Sequence, residues 1–146
     1  ARTRSLPTAG FRLKMSDTAI RIRNYHLDGY GHVNNARYLE FLEEARWHFF
    51  ERHNLLAGLG GISILVARAD IRYLRPAAEG DTLLIRSSIR TLEPGRTVIR
   101  QTATLAHNGK TAVQADITVV PVSDGRGTCF PPDVYTLLQQ LQNRQP

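Results

Sequence analysis

Residues 34–50 read NNARYLEFLEEARWHFF and decide how the rest of the chain is organised. Apolar side chains recur here at the i, i+3, i+4, i+7 spacing that places them on one face of an α-helix. These apolar residues are Tyr38, Phe41, Leu42, Ala45 and Phe49, and the opposite side carries Glu40, Glu43, Glu44 and Glu51. Asn34 or Asn35 can cap the N-terminus through its side-chain oxygen. The pattern predicts a five-turn amphipathic helix that ends near Asn54 and packs against a large apolar surface.

One strand is predicted before this helix and four strands after it. Residues 18–26 approach the alternation of a half-buried strand, and they end in the glycine-containing loop 28–31. The four later strands are predicted at residues 62–75, 82–92, 97–106 and 111–122. The last two connections, residues 93–96 and 107–110, are short, and the second contains Asn-Gly, the strongest hairpin signal. The final three strands are therefore expected to form an antiparallel meander.

The order of elements predicts the fold class. A short C-terminal helix opens at Pro131 and Pro132 and extends through Leu141. A five-stranded antiparallel sheet curled around one long apolar helix accommodates every element, so the class is α+β. We expect residues 15–146 to form one domain. Residues 1–14, which carry four basic residues and no acid, are expected to be a flexible tail.

The length, charge and cysteine content of the chain limit the classes of function that it can have. The chain has 146 residues and is 42% hydrophobic, as expected of one globular domain. The formal net charge is +6, but residues 1–14 hold four of these charges, which argues against a nucleic-acid partner. The apolar runs are too short to span a bilayer, so no membrane insertion is expected. Cys129 is the single cysteine and there is no N-glycosylation sequon, which is typical of a cytoplasmic protein.

Residues 26–35, HLDGYGHVNN, are the stretch most suggestive of chemistry. Asp28 lies one short loop before the predicted helix N-terminus, where unpaired amides and the positive end of the helix dipole accumulate. An acyl carbonyl bound at such an amide is polarised, and a nearby carboxylate can attack it or activate water. Alternatively, Asp28 is an Asx-type turn residue and His32 is a structural hydrogen-bonding residue. Both interpretations stay open at this point.

Other chemistries are disfavoured by the sequence. His26, Asp28 and His32 lack the helical or knuckle spacing of a metal site, and no HExxH or CxxC motif is present. The chain also contains no GxSxG elbow, no Walker loop and no dinucleotide fingerprint. Cys129 has no evident base beside it and is interpreted as an inert thiol. We therefore expect neither a metal nor a cofactor.

The same residues carry a resemblance to a known family. Residues 28–46, DGYGHVNNARYLEFLEEAR, resemble the signature of the 4-hydroxybenzoyl-CoA thioesterase superfamily, which has the hotdog fold. The longer run of residues 25–47 is most similar to bacterial long-chain acyl-CoA thioesterases associated with β-oxidation. Residues 70–77 and 80–81 resemble the second strand of that family and the turn after it. The resemblance extends over about residues 17–123.

This resemblance implies hydrolysis of fatty acyl-CoA, of medium to long chain, without metal or cofactor. It implies that Asp28 is the catalytic carboxylate, as nucleophile or general base, and that the main-chain amide of Asn35 polarises the thioester carbonyl. His26 stands where relatives often carry an acid. His32 and Asn34, in the same loop, are assigned to substrate binding.

Three further residues are assigned to substrate binding. Some relatives line the acyl pocket with an acid that matches Glu43, contributed by the neighbouring subunit, although a helical wheel places Glu43 away from the sheet-facing stripe. Coenzyme A is polyanionic, so Arg75, Arg96 and Arg126 are candidate phosphate contacts, and Arg75 and Arg96 are predicted to bind the substrate. The alternative for each arginine is a solvated surface position.

Two other functions are compatible with the same fold. An acyl carrier protein thioesterase shares the fold and the thioester, and a non-catalytic acyl-CoA-binding module would keep the pocket without the chemistry. The position of Asp28 favours catalysis.

A single five-stranded sheet leaves two edge strands, which proteins usually cover or pair. A homodimer or homotetramer is therefore expected, with active sites near the subunit boundary.

Overall fold

The computed structural model describes residues 17–144. Its elements follow the predicted order of one strand, a long helix, four strands and a C-terminal helix, with one very short strand added. They are β1 (Thr18–Arg21), a 3-10 turn (Asn24–His26), α1 (Asn35–Arg52), β2 (Ser63–Tyr73), β3 (Thr82–Glu93), β4 (Arg96–Leu105), β5 (Thr111–Ser123), β6 (Arg126–Gly127) and α2 (Pro132–Arg144). The predicted tail, residues 1–14, lies outside the described residues.

The strands form one antiparallel sheet in the order β1-β3-β4-β5-β2, and β6 pairs with the end of β5. β3, β4 and β5 pair in succession, which confirms the predicted meander. α1 packs against the sheet over β1 and β3, and all five residues of its predicted apolar stripe are buried. The predicted α+β fold, five antiparallel strands around one long helix, is confirmed.

The C-terminal end of α1 is set by its local chemistry. α1 ends at Arg52, and Asn54 follows with a φ of 58°, in the left-handed region that asparagine tolerates better than most residues. The amide of Leu55 returns to the carbonyl of Phe50 at 2.9 Å. This left-handed cap satisfies a carbonyl that the last turn leaves open, and it stops the helix where the sequence predicts.

The predicted first strand, residues 18–26, is too long. β1 ends at Arg21, and the chain stays at the sheet edge only through Ile22, whose amide donates to the Asp81 carbonyl at 2.8 Å. The backbone then forms the 3-10 turn, in which the amide of His26 donates to the carbonyl of Arg23 at 3.0 Å. His26 lies in this turn and not in a strand, and its buried ring packs against Phe41 of α1, so its place in the alternating pattern is coincidental.

β1 and β2 are the two edges of the sheet, and they differ greatly in length. β1 has four residues, whereas β2 has eleven and pairs only with β5 among the described residues. Leu65 and Val66 of β2 are 49% and 50% exposed. A long edge that exposes apolar side chains is a template for pairing with another chain. The structure therefore leaves β2 as the edge available for assembly.

Candidate active site

The loop between the 3-10 turn and α1, residues 27–33, is held as a closed unit. Leu27 and Val33 form an antiparallel bridge, and the amide of Asp28 donates to the carbonyl of His32 at 2.7 Å. Gly31 has a φ of +80°, a left-handed backbone that glycine adopts at little cost. These constraints fix the backbone from which Asp28 projects.

The two oxygens of the Asp28 carboxylate have different environments. Oδ1 accepts hydrogen bonds from the amides of Tyr30, at 2.8 Å, and His32, at 3.2 Å. Oδ2 accepts none from residues 17–144, and the side chain is exposed. One oxygen therefore builds the Asx-type turn that the sequence suggests, and the other is left available for chemistry. The turn interpretation and the catalytic interpretation are compatible.

The start of α1 decides between the two candidate caps. Asn34 is the N-cap, and its Oδ1 accepts a hydrogen bond from the amide of Ala36 at 2.9 Å. Asn35 is the first helical residue, so its amide has no acceptor within the helix. The Asn34 side chain is thus engaged in capping, while the main chain of Asn35 offers a donor at the positive end of the helix dipole.

Two tyrosines that the sequence did not assign to the site lie at this helix start. The hydroxyl of Tyr73, on β2, donates to the carbonyl of Asn35 at 3.3 Å, and its ring lies 5.8 Å from that of Tyr38. Burial raises the pKa of Tyr38 to about 12, so it stays a neutral phenol at physiological pH. No local pattern in the sequence could have related Tyr73 to a residue so far away along the chain.

His26 is buried directly before the loop. Its Nδ1 accepts a hydrogen bond from the amide of Arg23 at 2.9 Å, and its ring packs edge-on against Phe41 of α1, with 4.9 Å between ring centroids. Burial lowers the pKa of the imidazole from its ordinary value, and the charge of Arg37 lowers it further. The imidazole is therefore neutral near pH 7.

The other residues predicted to bind substrate are placed at varying distances from Asp28. The His32 side chain is exposed, and only the His32 main chain contacts Asp28. Glu43 is exposed on α1, eight residues beyond Asn35 and therefore about 12 Å along the helix axis. Arg75 follows the end of β2 that carries Tyr73, and its guanidinium donates to the Thr111 carbonyl at 2.9 Å.

Arg96 and Arg126 lie at the other end of the sheet. Arg96 pairs with Glu93 at 2.9 Å across the turn that joins the end of β3 to β4. The loop that carries Asp28 lies near the opposite end of β3, where this strand begins. β3 has twelve residues, so its two ends are roughly 35 Å apart. β6, which carries Arg126, pairs with the last residues of β5, opposite the start of β2. A single chain brings neither arginine to Asp28.

Within residues 17–144, no three or more His, Cys, Asp and Glu side chains are gathered as metal ligands. No helix in the same range is long and apolar enough to cross a membrane. Cys129 is a free and exposed thiol.

Comparison with known proteins agrees with the geometry. A family model described as the thioesterase-like superfamily matches residues 22–138. The long-chain acyl-CoA thioesterase FadM of Escherichia coli is 43% identical over 105 residues, which are 70% of this chain and 80% of FadM. The crystal structure of YbaW, a probable thioesterase from Escherichia coli, superposes with a TM-score of 0.75 at 37% identity, covering 86% of this chain and 97% of YbaW.

A third similar protein has a bound ligand. A Thermus thermophilus thioesterase complexed with coenzyme A and Zn superposes with a TM-score of 0.77 at 28% identity. The match covers 88% of this chain and 95% of that structure. The resemblance carried by residues 28–46 is therefore confirmed across most of the chain, and this protein belongs to the thioesterase-like superfamily.

Proposed function

We propose that this protein hydrolyses fatty acyl-CoA thioesters, of medium to long chain, to free fatty acid and CoA. The observation that carries the proposal is the Asp28 carboxylate, fixed through Oδ1 in a loop that leads into the N-terminus of α1. FadM, named as a long-chain acyl-CoA thioesterase, supports the class of acyl chain. The Thermus thermophilus thioesterase that holds coenzyme A supports CoA as the carrier.

The mechanism follows from the two groups at the helix start. The thioester carbonyl binds at the N-terminus of α1, where the main-chain amide of Asn35 donates to the oxygen as negative charge develops. Such a donor contributes about 3 kcal/mol to transition-state stabilisation. Oδ2 of Asp28 attacks the carbonyl carbon, or it takes a proton from an attacking water.

Both routes end in the same products. In the first route CoA leaves as a thiolate, and water then hydrolyses the acyl-Asp28 anhydride, which restores the carboxylate. In the second route water adds directly and CoA leaves from the tetrahedral intermediate. Each route consumes one water and releases one fatty acid and one CoA. A thiolate leaves readily, so neither route depends on a strong general acid.

We also infer that the protein acts as a homodimer or homotetramer. β2 has the length and the exposed apolar side chains that edge pairing requires, and α1 exposes Leu39 and Trp47. Tyr73 of β2 contacts Asn35, so a second copy paired along β2 lies close to the site. Closed two-fold association is the most common way to cover such an edge.

Among the predicted CoA contacts, Arg75 is the one that lies near Asp28 within a single chain. It lies two residues before Ala77, whose carbonyl accepts a hydrogen bond from the amide of Val33 at 2.8 Å. Arg75 therefore stands beside the loop that carries Asp28. Glu43, predicted to line the acyl pocket, and Arg96, predicted to contact the CoA phosphates, stay predictions, and each needs a second copy to bring it to the substrate.

The compartment is also a proposal. Cys129 is a free thiol, and the sequence carries no N-glycosylation sequon. Free exposed thiols persist in reducing compartments. We therefore place the protein in the cytoplasm.

A thiol-release assay tests the proposed function. The purified protein is offered short, medium, long and aromatic acyl-CoAs, with a long-chain acyl carrier protein thioester alongside. We expect the highest kcat/KM with the medium and long fatty acyl-CoAs. A preference for the acyl carrier protein substrate identifies a carrier-protein thioesterase instead. Tight acyl-CoA binding without thiol release identifies a non-catalytic binding module.

A further inference from the structure

His26 is a buried histidine that the proposed mechanism does not use. Only 8% of its surface is exposed, although the loop after it is open to solvent. Its Nδ1 accepts from the amide of Arg23 and its carbonyl accepts from the amide of Asn34, both at 2.9 Å. Arg23 precedes the 3-10 turn and Asn34 caps α1. One residue therefore ties the segment before Asp28 to the segment after it.

The His26 ring adds a second link between the loop and the helix. It packs edge-on against Tyr25, with 4.4 Å between centroids, and against the buried Phe41 of α1, at 4.9 Å and an interplanar angle of 83°. Edge-on aromatic pairs of this kind are stabilising and have a specific geometry. The ring therefore joins the turn that precedes Asp28 to the helix whose first amide belongs to Asn35.

We propose that His26 is a positioning residue of this site, which holds the Asp28 carboxylate at the correct place relative to the amide of Asn35. The proposal rests on the proposed function, because it assigns the spacing of the two groups that the mechanism uses. His26 acts through the backbone and needs no contact with substrate.

The positioning contact exists in one protonation state. Nδ1 can accept from the amide of Arg23 only when the ring is neutral and carries its proton on Nε2. Burial lowers the pKa of His26 below its ordinary value, Arg37 and Arg23 lower it further, and Glu40 opposes them. Tyr25 is the titratable group in ring contact. As the pH falls through this lowered pKa, below about 6.5, the ring gains a proton and the contact is lost.

Two substitutions of His26 distinguish the hydrogen bond that Nδ1 accepts from the packing of the ring. His26→Asn keeps an acceptor at this position, because the amide oxygen Oδ1 of asparagine is bonded to Cγ as Nδ1 is in histidine. His26→Leu fills much of the space and has no acceptor. His53→Leu is the matched control, because the His53 imidazole also packs on an aromatic ring, that of Phe49, and also has a pKa lowered by burial. His53 lies beyond the far end of α1.

The experiment measures kcat and KM for the best acyl-CoA substrate between pH 5 and 8, with melting curves to verify folding. We expect His26→Leu to lower kcat by at least about 10-fold while KM changes little, because a misplaced reacting group costs turnover more than binding. His26→Asn should keep kcat within roughly 3-fold of the wild type and lose the decline of activity below about pH 6.5. His53→Leu should retain both the rate and the decline.

Two results overturn the proposal while leaving the proposed function intact: a wild-type kcat in His26→Leu, or an unchanged acidic decline in His26→Asn. If His26→Leu does not fold, the pH profile of His26→Asn alone decides. A wild-type protein that releases no thiol from any acyl-CoA overturns the proposed function, and the positioning proposal with it.

Discussion

The hydroxyl of Tyr73 donates a hydrogen bond to the carbonyl of Asn35 at 3.3 Å. Tyr73 is the last residue of the edge strand β2, and Asn35 is the first residue of α1. The edge at which we expect a second copy to pair is thus attached to the helix start that carries the proposed oxyanion donor. Assembly and catalysis are expected to depend on one another for this reason.

A charge placed on β2 should separate the subunits. Val66 is half-exposed on this edge strand, and Val66→Lys places an ammonium group there. Pairing with a second copy would remove water from the ammonium group, which disfavours the dimer. Light scattering should give at least twice the chain mass of 16.4 kDa for the wild type and a value near 16.4 kDa for Val66→Lys, with reduced turnover. The matched control is Ala19→Lys, an exposed position on β1, which should stay associated. A fully active wild-type monomer contradicts this assembly.

The two asparagines at the helix start should respond differently to alanine. Asn34→Ala removes the oxygen that accepts from the amide of Ala36, and we expect a loss of about 1 kcal/mol in the free energy of unfolding. Asn35→Ala keeps the main-chain amide and should change both stability and turnover little. Urea denaturation of the two variants measures the difference. Equal losses for both would show that the cap is assigned incorrectly.

A buried polar cluster joins α1 to the middle of the sheet. The guanidinium of Arg46 donates to Oε1 of Gln101 at 3.1 Å, and Nε2 of Gln101 donates to the Leu42 carbonyl and to the Ser87 hydroxyl, both at 3.0 Å. Burial lowers the pKa of Arg46, and the charge of Glu43 opposes that shift. The cluster keeps a charged side chain inside the interface between helix and sheet.

Removing one member of this cluster should cost more than removing two. Gln101→Leu leaves the Arg46 guanidinium buried without its acceptor, and we expect a loss of about 2 kcal/mol in stability. In the double variant with Arg46→Met, no charge is left buried, so the loss should be smaller. Urea denaturation of both single variants and the double variant tests the coupling. Simple additivity would indicate that the hydrogen bond contributes nothing specific.

The parts of the fold that the sequence predicts correctly depend on local signals. The stripe containing Tyr38, Phe41 and Phe49 needs only helical periodicity, and the meander needs only alternation and turn residues between strands. Asp28 could be placed before the helix N-terminus because loop and helix are consecutive in the chain. Long, strongly periodic elements and their neighbours are therefore recoverable from sequence.

The parts that the sequence misses depend on contacts between distant residues. The contact of Tyr73 with Asn35 requires the register of β2 against the rest of the sheet, which no local pattern specifies. The early end of β1 reflects a 3-10 turn stabilised by the His26 imidazole, and alternation alone cannot reveal it. Arg96 resembles a phosphate contact by charge, whereas its partner in the chain is Glu93 across a turn.

The turnover of Asp28→Asn with the best fatty acyl-CoA is the most direct test of the account. The substitution keeps the shape and the turn-forming oxygen and removes the carboxylate, so kcat should fall by at least about 100-fold while an unhydrolysable acyl-CoA analogue still binds. Asp124→Asn, at an exposed aspartate in the turn between β5 and β6, is the matched control and should keep the wild-type rate. A wild-type rate in Asp28→Asn contradicts the proposed mechanism.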